Sequence, residues 1–166
     1  MRRLDHTLTY PDSTVAEVYA MLVDPEYRTA VSVFQHVTDF SCQITPDGTG
    51  AEVSIEQAHG TDRIPAMAQK LTGPEIRFLQ HETWGSPDGA DVDVTVPGKP
   101  GDIRGTIALD QDGADVTQHI DIAVRVSIPL VGGKLEEMIG GFVGRVFDAQ
   151  NTVGVKWLRG EWPPAG

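Results

Sequence analysis

The strongest pattern of apolar and polar positions lies at the end of the chain. Between Pro129 and Leu158, Leu135, Ile139, Phe142, Val146, Ala149, Val153 and Trp157 recur at spacings of three or four, the period of one helical face. Lys134, Glu137, Arg145, Asp148, Lys156 and Arg159 occupy the opposite arc. This predicts one long helix over 129–158, apolar on one side and wet on the other. Gly140, Gly141, Gly144 and Gly154 fall inside that span, and each interior glycine costs about 1 kcal/mol relative to alanine. Gly140 and Gly144, four residues apart, therefore predict an edge where a strand or a ligand comes close.

Upstream the period changes. Residues 3–10 alternate, with Leu4, His6, Leu8 and Tyr10 on one face, and predict a first strand. Asp12 and Ser13 offer a cap for a helix through Val15, Val18, Tyr19 and Leu22, with Glu17 near the capping-box position. Pro25 ends that helix and opens a second short one, because proline is tolerated in a first turn. From residue 36 onward, Asp47-Gly48, Asp88-Gly89 and Asp112-Gly113 each separate alternating runs and predict hairpins, 37–45 with 50–58, 74–85 with 90–97, and 102–110 with 114–127. The segment HGTDRIPAMAQKLTGP between the first two hairpins is too long for a tight turn, so PAMAQKL is expected to add a helical turn or two and to cover an opening. A single domain over 1–160, with a frayed tail at 161–166, is the expected organisation.

Composition narrows the function classes. A formal charge of -11 and a pI near 4.7 repel phosphate backbones and anionic headgroups, so neither nucleic acid nor stable membrane insertion is expected. No apolar run reaches the length of a transmembrane helix and no secretory signal is visible, which makes the cytoplasm the expected location. Cys42 is the one cysteine and sits among alternating apolar residues, as a small buried hydrophobe would. His6, His36, His59, His81 and His119 lie on separate expected strands or loops without ligand spacing, and no metal or cofactor is expected. HETWG lacks the second histidine of HExxH, and VGGK lacks the rest of a phosphate-binding loop. Nothing in the pattern fixes the oligomeric state, a homodimer being one option.

The order strand, two short helices, six antiparallel strands and long helix resembles the START-like, or helix-grip, superfamily of polyketide cyclases, dehydrases and lipid-transport proteins. The HETWG stretch from His81 to Gly85, the PGKPGDIRGTIAL segment and the SIPLVGGKLE junction are similar to a family of uncharacterised small bacterial domains within it. The resemblance implies an α+β helix-grip fold, a curved seven-stranded antiparallel sheet (β-α-α-β6-α) wrapped around the long C-terminal helix.

Alternation then assigns the side chains that face the helix. The inward set contains Gln57, Gln80, Glu82, Gln118 and His6 among apolar neighbours, with Trp84 beside Glu82. Polar groups kept in an apolar interior satisfy one another, a water or a ligand. The first expectation is therefore a binding module for a lipid-, isoprenoid- or polyketide-like molecule held between sheet and helix. Met138, Ile139, Phe142 and Val146 supply apolar contact there, and Gln57, Gln80, Glu82, Trp84 and Gln118 supply polar or aromatic anchors. The alternative is an enzyme of cyclase, dehydratase or hydrolase type with Glu82 as general acid or base and His6 as its partner, no Ser/His/Asp or Cys/His arrangement being visible. A third reading is a protein-interaction module with a filled core.

Overall fold

The computed structural model describes residues 1–62, 64 and 66–163, and of Met67, Ala68 and Leu71 only the backbone is described. Eleven elements follow one another as β1 (Arg2–Tyr10), α1 (Val15–Leu22), α2 (Pro25–Phe34), β2 (Asp39–Asp47), β3 (Gly50–Gly60), α3 (Ala66–Thr72), β4 (Glu75–Ser86), β5 (Gly89–Thr95), β6 (Asp102–Asp112), β7 (Asp115–Arg125) and α4 (Gly132–Leu158). The strands form one seven-stranded sheet in the order β1-β7-β6-β5-β4-β3-β2, with every neighbouring pair antiparallel. The fold is helix-grip: the sheet holds α4 along one face, and α1 and α2 carry the chain from one edge strand, β1, to the other, β2.

Local chemistry explains the boundaries. Thr14, rather than Asp12 or Ser13, caps α1, because only Thr14 stands three residues before Glu17, and side chain and backbone satisfy each other in a full capping box. Asp24 caps α2 and Pro25 takes its first position. In two of the hairpins the turn falls one residue past the Asp-Gly pairing. Asp47 pairs with Gly50 and Asp112 with Asp115, and the positive φ lies at Gly48 (61°) and Gly113 (63°). A glycine at the first central position followed by an ordinary residue is the type II′ pattern. Pro87 and Asp88 close the third hairpin beside a register shift between Trp84 and Ser86.

The long helix begins at Gly132, three residues later than the apolar period suggests. Leu130, fully exposed with φ 73°, turns the chain sharply after β7. Gly132 then passes so close to Val126 that a Cβ would lie 2.5 Å from its carbonyl oxygen. Position 132 thus requires glycine for approach rather than for φ. The buried face of α4 also includes Glu136, Phe147, Gln150 and Gly154, beyond the stripe read from the sequence. β1 runs along much of its length, with Leu4 beside Gly140 and Tyr10 beside Gly154, whereas α1 and α2 pack against its C-terminal half through Met21 at Gly154 and Tyr27 at Gln150 and Trp157. Glu136 is tolerated on the buried face because it accepts the Val126 N–H at 2.9 Å and meets the Met1 ammonium at 2.9 Å.

Of PAMAQKL, Pro65 lies outside the described residues, and Ala66–Thr72 is the short helix α3. The expected tail lies outside them from position 164 on. Within it Trp162 is not free: its ring meets Phe34 edge-on at 5.9 Å. No described helix is long and apolar enough to cross a membrane.

Candidate functional site

The space between sheet and α4 divides into a plugged half and an open half. Hairpin turns after β2, β4 and β6 mark one end of the sheet, and α1 and α2 pack there. At that end Glu82 on β4 is 1% exposed and Arg28 on α2 is 4% exposed. Arg28 Nη2 donates to Glu82 Oε1 at 2.8 Å, Trp84 Nε1 donates to the same oxygen at 2.9 Å, and Gln80 Nε2 donates to Oε2 at 2.5 Å. Arg28 Nε also donates to the Leu22 carbonyl at 2.8 Å. Burial is the largest single influence and works against the charge on Arg28, but the Glu82 carboxylate, its hydrogen bond and the nearby Tyr27 together outweigh it and hold the guanidinium above its ordinary pKa. Gln118 accepts from Tyr10 at 3.0 Å, and Tyr27 donates to the Gln150 carbonyl at 2.9 Å. Burial pushes both tyrosine hydroxyls far up, so they act as neutral hydrogen-bonding groups.

These polar residues satisfy each other. Glu82, Trp84 and Gln118 stand outside the walls of the interior cavities, and the structure does not bring His6 to Glu82. His6 lies toward the edge strand, with Nε2 3.0 Å from Asp148 Oδ1 and its ring stacked on Phe147. The Glu82 carboxylate accepts three hydrogen bonds from inside the fold and lines neither cavity.

The open half lies under the N-terminal half of α4, at the far end of the sheet. A cavity of about 360 Å³ is bounded by the ends of β3, β5 and β7, the starts of β4 and β6, the loop around Lys99, and Leu135, Met138, Ile139 and Phe142 of α4. Ile64 and Thr72, from the irregular segment around α3, also line it. A narrower space of about 50 Å³ adjoins it and is lined by Gln57, Gln80 and Val146; the two share Phe78, Val94, Ile103 and Phe142. Met138, Ile139 and Phe142 thus reach the main cavity, while Gln57, Gln80 and Val146 reach its narrow continuation and, with Arg28 and Phe40, a further space of about 20 Å³.

His59, on the last turn of the β3 alternation, is the wall residue that the sequence reading leaves out. It is 8% exposed, and its ring stands edge-on to Phe78 at 5.7 Å and to Phe142 at 5.1 Å. Those two phenyl rings stack at 5.6 Å. Desolvation lowers the imidazole pKa, favouring the neutral ring. Its Nε2 is buried without a hydrogen-bond partner. The charged groups on the cavity wall, Lys99, Asp102 and Arg125, belong to the strand ends and their loop, where water reaches them.

The outer face of the sheet carries a Ser-His-Glu chain that cross-strand register creates and sequence spacing hides. Ser54 Oγ lies 3.2 Å from His81 Nδ1, and His81 Nε2 lies 2.5 Å from Glu52 Oε2. β3 and β4 are interior strands, so their backbone N–H groups are engaged in the sheet ladders and do not serve as oxyanion donors. Cys42 is half-buried beside the core, and desolvation raises its thiol pKa, which makes it a poor nucleophile. Among the described residues no three His, Cys, Asp or Glu side chains gather as a metal set.

Comparison with known proteins agrees with this architecture. The family described as "Protein of unknown function (DUF2505)" matches residues 5–158. An uncharacterized protein of Mycobacterium tuberculosis is 25% identical over 120 residues, covering 68% of this chain and 67% of that protein. A crystal structure from Thermus thermophilus superposes with a TM-score of 0.66 at 14% identity, over 97% of this chain and 99% of that one. A START superfamily protein from Mycobacterium smegmatis superposes with a TM-score of 0.58 at 8% identity, over 95% and 97%. At such identities the two structures speak to the fold alone, which is START-like.

Proposed function

The chain belongs to the DUF2505 family, and we propose that it binds a hydrophobic or amphipathic small molecule, lipid-, isoprenoid- or polyketide-like, in the cavity beneath the N-terminal half of α4. The observation that carries this reading is the cavity itself. It is about 360 Å³, walled mostly by apolar side chains, and it lies beside a core held together by hydrogen-bonded polar pairs. Small-molecule sites fall at about 300–1,000 Å³ and combine apolar walls with a few polar groups. A protein whose interior served only to stabilise it gains nothing from the void, since each missing contact weakens packing. The START-like fold supports the same reading by analogy.

The test is native mass spectrometry after incubation with a panel of long-chain alcohols, fatty acids and polycyclic aromatics. One-to-one complexes with at least one class are expected, and apo protein throughout contradicts the proposal. Intrinsic tryptophan fluorescence is a poor substitute, because Trp84, Trp157 and Trp162 stand outside the cavity wall. A Phe142→Trp variant places a reporter in it.

A further inference from the structure

The interior of this protein follows one rule with one exception at the cavity. Arg28, Glu82, Gln118 and Gln80 all find partners inside the fold. Among the described residues, the buried side-chain polar atoms without a partner are His59 Nε2 and Asp93 Oδ1. Asp93 belongs to the outer face, with Arg104 Nε 3.7 Å from that oxygen. His59 instead lines the apolar cavity, and an unsatisfied buried group of this kind costs about 1–3 kcal/mol. The Phe78 and Phe142 rings both stand edge-on to the imidazole, and Nε2 itself is closed to water, so a ligand meets it as the ring turns toward the cavity.

Resting on the binding reading, we infer that His59 is the polar anchor of the cavity and that its ligand is an uncharged, largely apolar molecule carrying a hydroxyl group at its buried end. A hydroxyl both donates and accepts, so it satisfies Nε2 in either tautomer of a neutral imidazole. A carboxylate does not suit this position. Lys99 and Arg125 belong to the rim rather than to the surroundings of His59, and an ionised group buried among Phe78, Phe142, Ile76 and Ile139 is costly without a charge partner. The lowered pKa of His59 agrees with a neutral partner.

Isothermal titration with 4-butylphenol, butylbenzene and decanoate, on the wild type and on His59→Phe, tests this. The wild type is expected to bind 4-butylphenol at least as tightly as butylbenzene, although the hydroxyl must leave water. In His59→Phe the phenol is expected to weaken about tenfold relative to butylbenzene, the size of one hydrogen bond, and retained butylbenzene binding certifies the fold. His59→Leu gives the same readout where a phenyl ring itself crowds the cavity. An unchanged phenol-to-hydrocarbon ratio in both variants overturns the role of His59 while leaving the cavity reading intact. Tighter binding of decanoate, lost in Lys99→Ala or Arg125→Ala, also overturns it by moving the head group to the rim. Failure of the wild type to bind any of the three probes overturns the cavity reading and this inference together.

Discussion

Arg28 on α2 and Glu82 on β4 form a buried ion pair, Nη2 to Oε1 at 2.8 Å, that ties the helical cover to an interior strand of the sheet. Removing one charge leaves the other stranded in the core. Glu82→Gln is therefore expected to destabilise the fold by about 3–5 kcal/mol, as is Arg28→Met. The double variant Arg28→Met/Glu82→Leu is expected to recover most of that loss, because apolar replacement of a whole buried pair is often neutral. Urea denaturation of the three variants measures this. Single variants within about 1 kcal/mol of wild type would show that the pair is not a structural tie.

That pair also marks how far the residues alone could be read. The hairpins follow from the Asp-Gly turns between alternating runs, and the inward phase of β4 and β7 follows from alternation, since side chains of period two have only two faces to choose from. Arg28 was missed because its helix is short and its charge reads as solvent-facing, yet it stands three residues before Val31 and next to Tyr27, both buried. His59 was missed for a smaller reason. The pattern predicts a third strand ending at residue 58, whereas β3 runs to Gly60, and one further step of the series Val53, Ile55, Gln57 reaches His59. The division of the interior into plugged and open halves was not legible at all. It depends on α1 and α2 covering only one end of α4, which is a fact of three-dimensional placement.

The glycines of α4 differ in what they allow. A Cβ at Gly154 would lie 2.8 Å from Tyr10 Cε1 and 3.1 Å from Met21 Cε, whereas one at Gly144 meets nothing within 4 Å. Gly144→Ala is expected to stabilise the protein by about 0.5–1 kcal/mol through helix propensity. Gly154→Ala is expected to destabilise it by about 1–3 kcal/mol, because the Tyr10 ring is held by Gln118 and cannot move freely. Thermal melting of the two variants checks the opposite signs, and equal shifts contradict the packing described for Tyr10.

His59 gives stability a pH dependence whose sign follows from burial. Its folded pKa lies below the ordinary imidazole value of about 6.5. The stability linked to the neutral ring is thus fully present above that value and is lost as pH falls through it, because the unfolded chain takes up the proton first. Lys99, Asp102 and Arg125 are the charged groups sharing its cavity. Melting temperature measured from pH 7.5 down to 5 is expected to fall less steeply in His59→Phe than in the wild type. Parallel curves contradict the assignment.

Filling the cavity separates binding from folding. Ile139→Trp directs an indole into the space beside Phe142. It is expected to weaken uptake of apolar ligands at least about tenfold, while changing stability by no more than about 1.5 kcal/mol, because the added volume occupies a void. Retained affinity in that variant, read by isothermal titration, would put the ligand elsewhere.

The most direct measurement is isoleucine-methyl NMR during titration of the wild type with butylbenzene. Ile64, Ile76, Ile103, Ile128 and Ile139 line the cavity, whereas Ile44 and Ile120 do not. Saturable shifts confined to the first group are predicted. Shifts that fail to saturate, or that fall mainly on Ile44 and Ile120, would contradict a ligand site under the N-terminal half of α4.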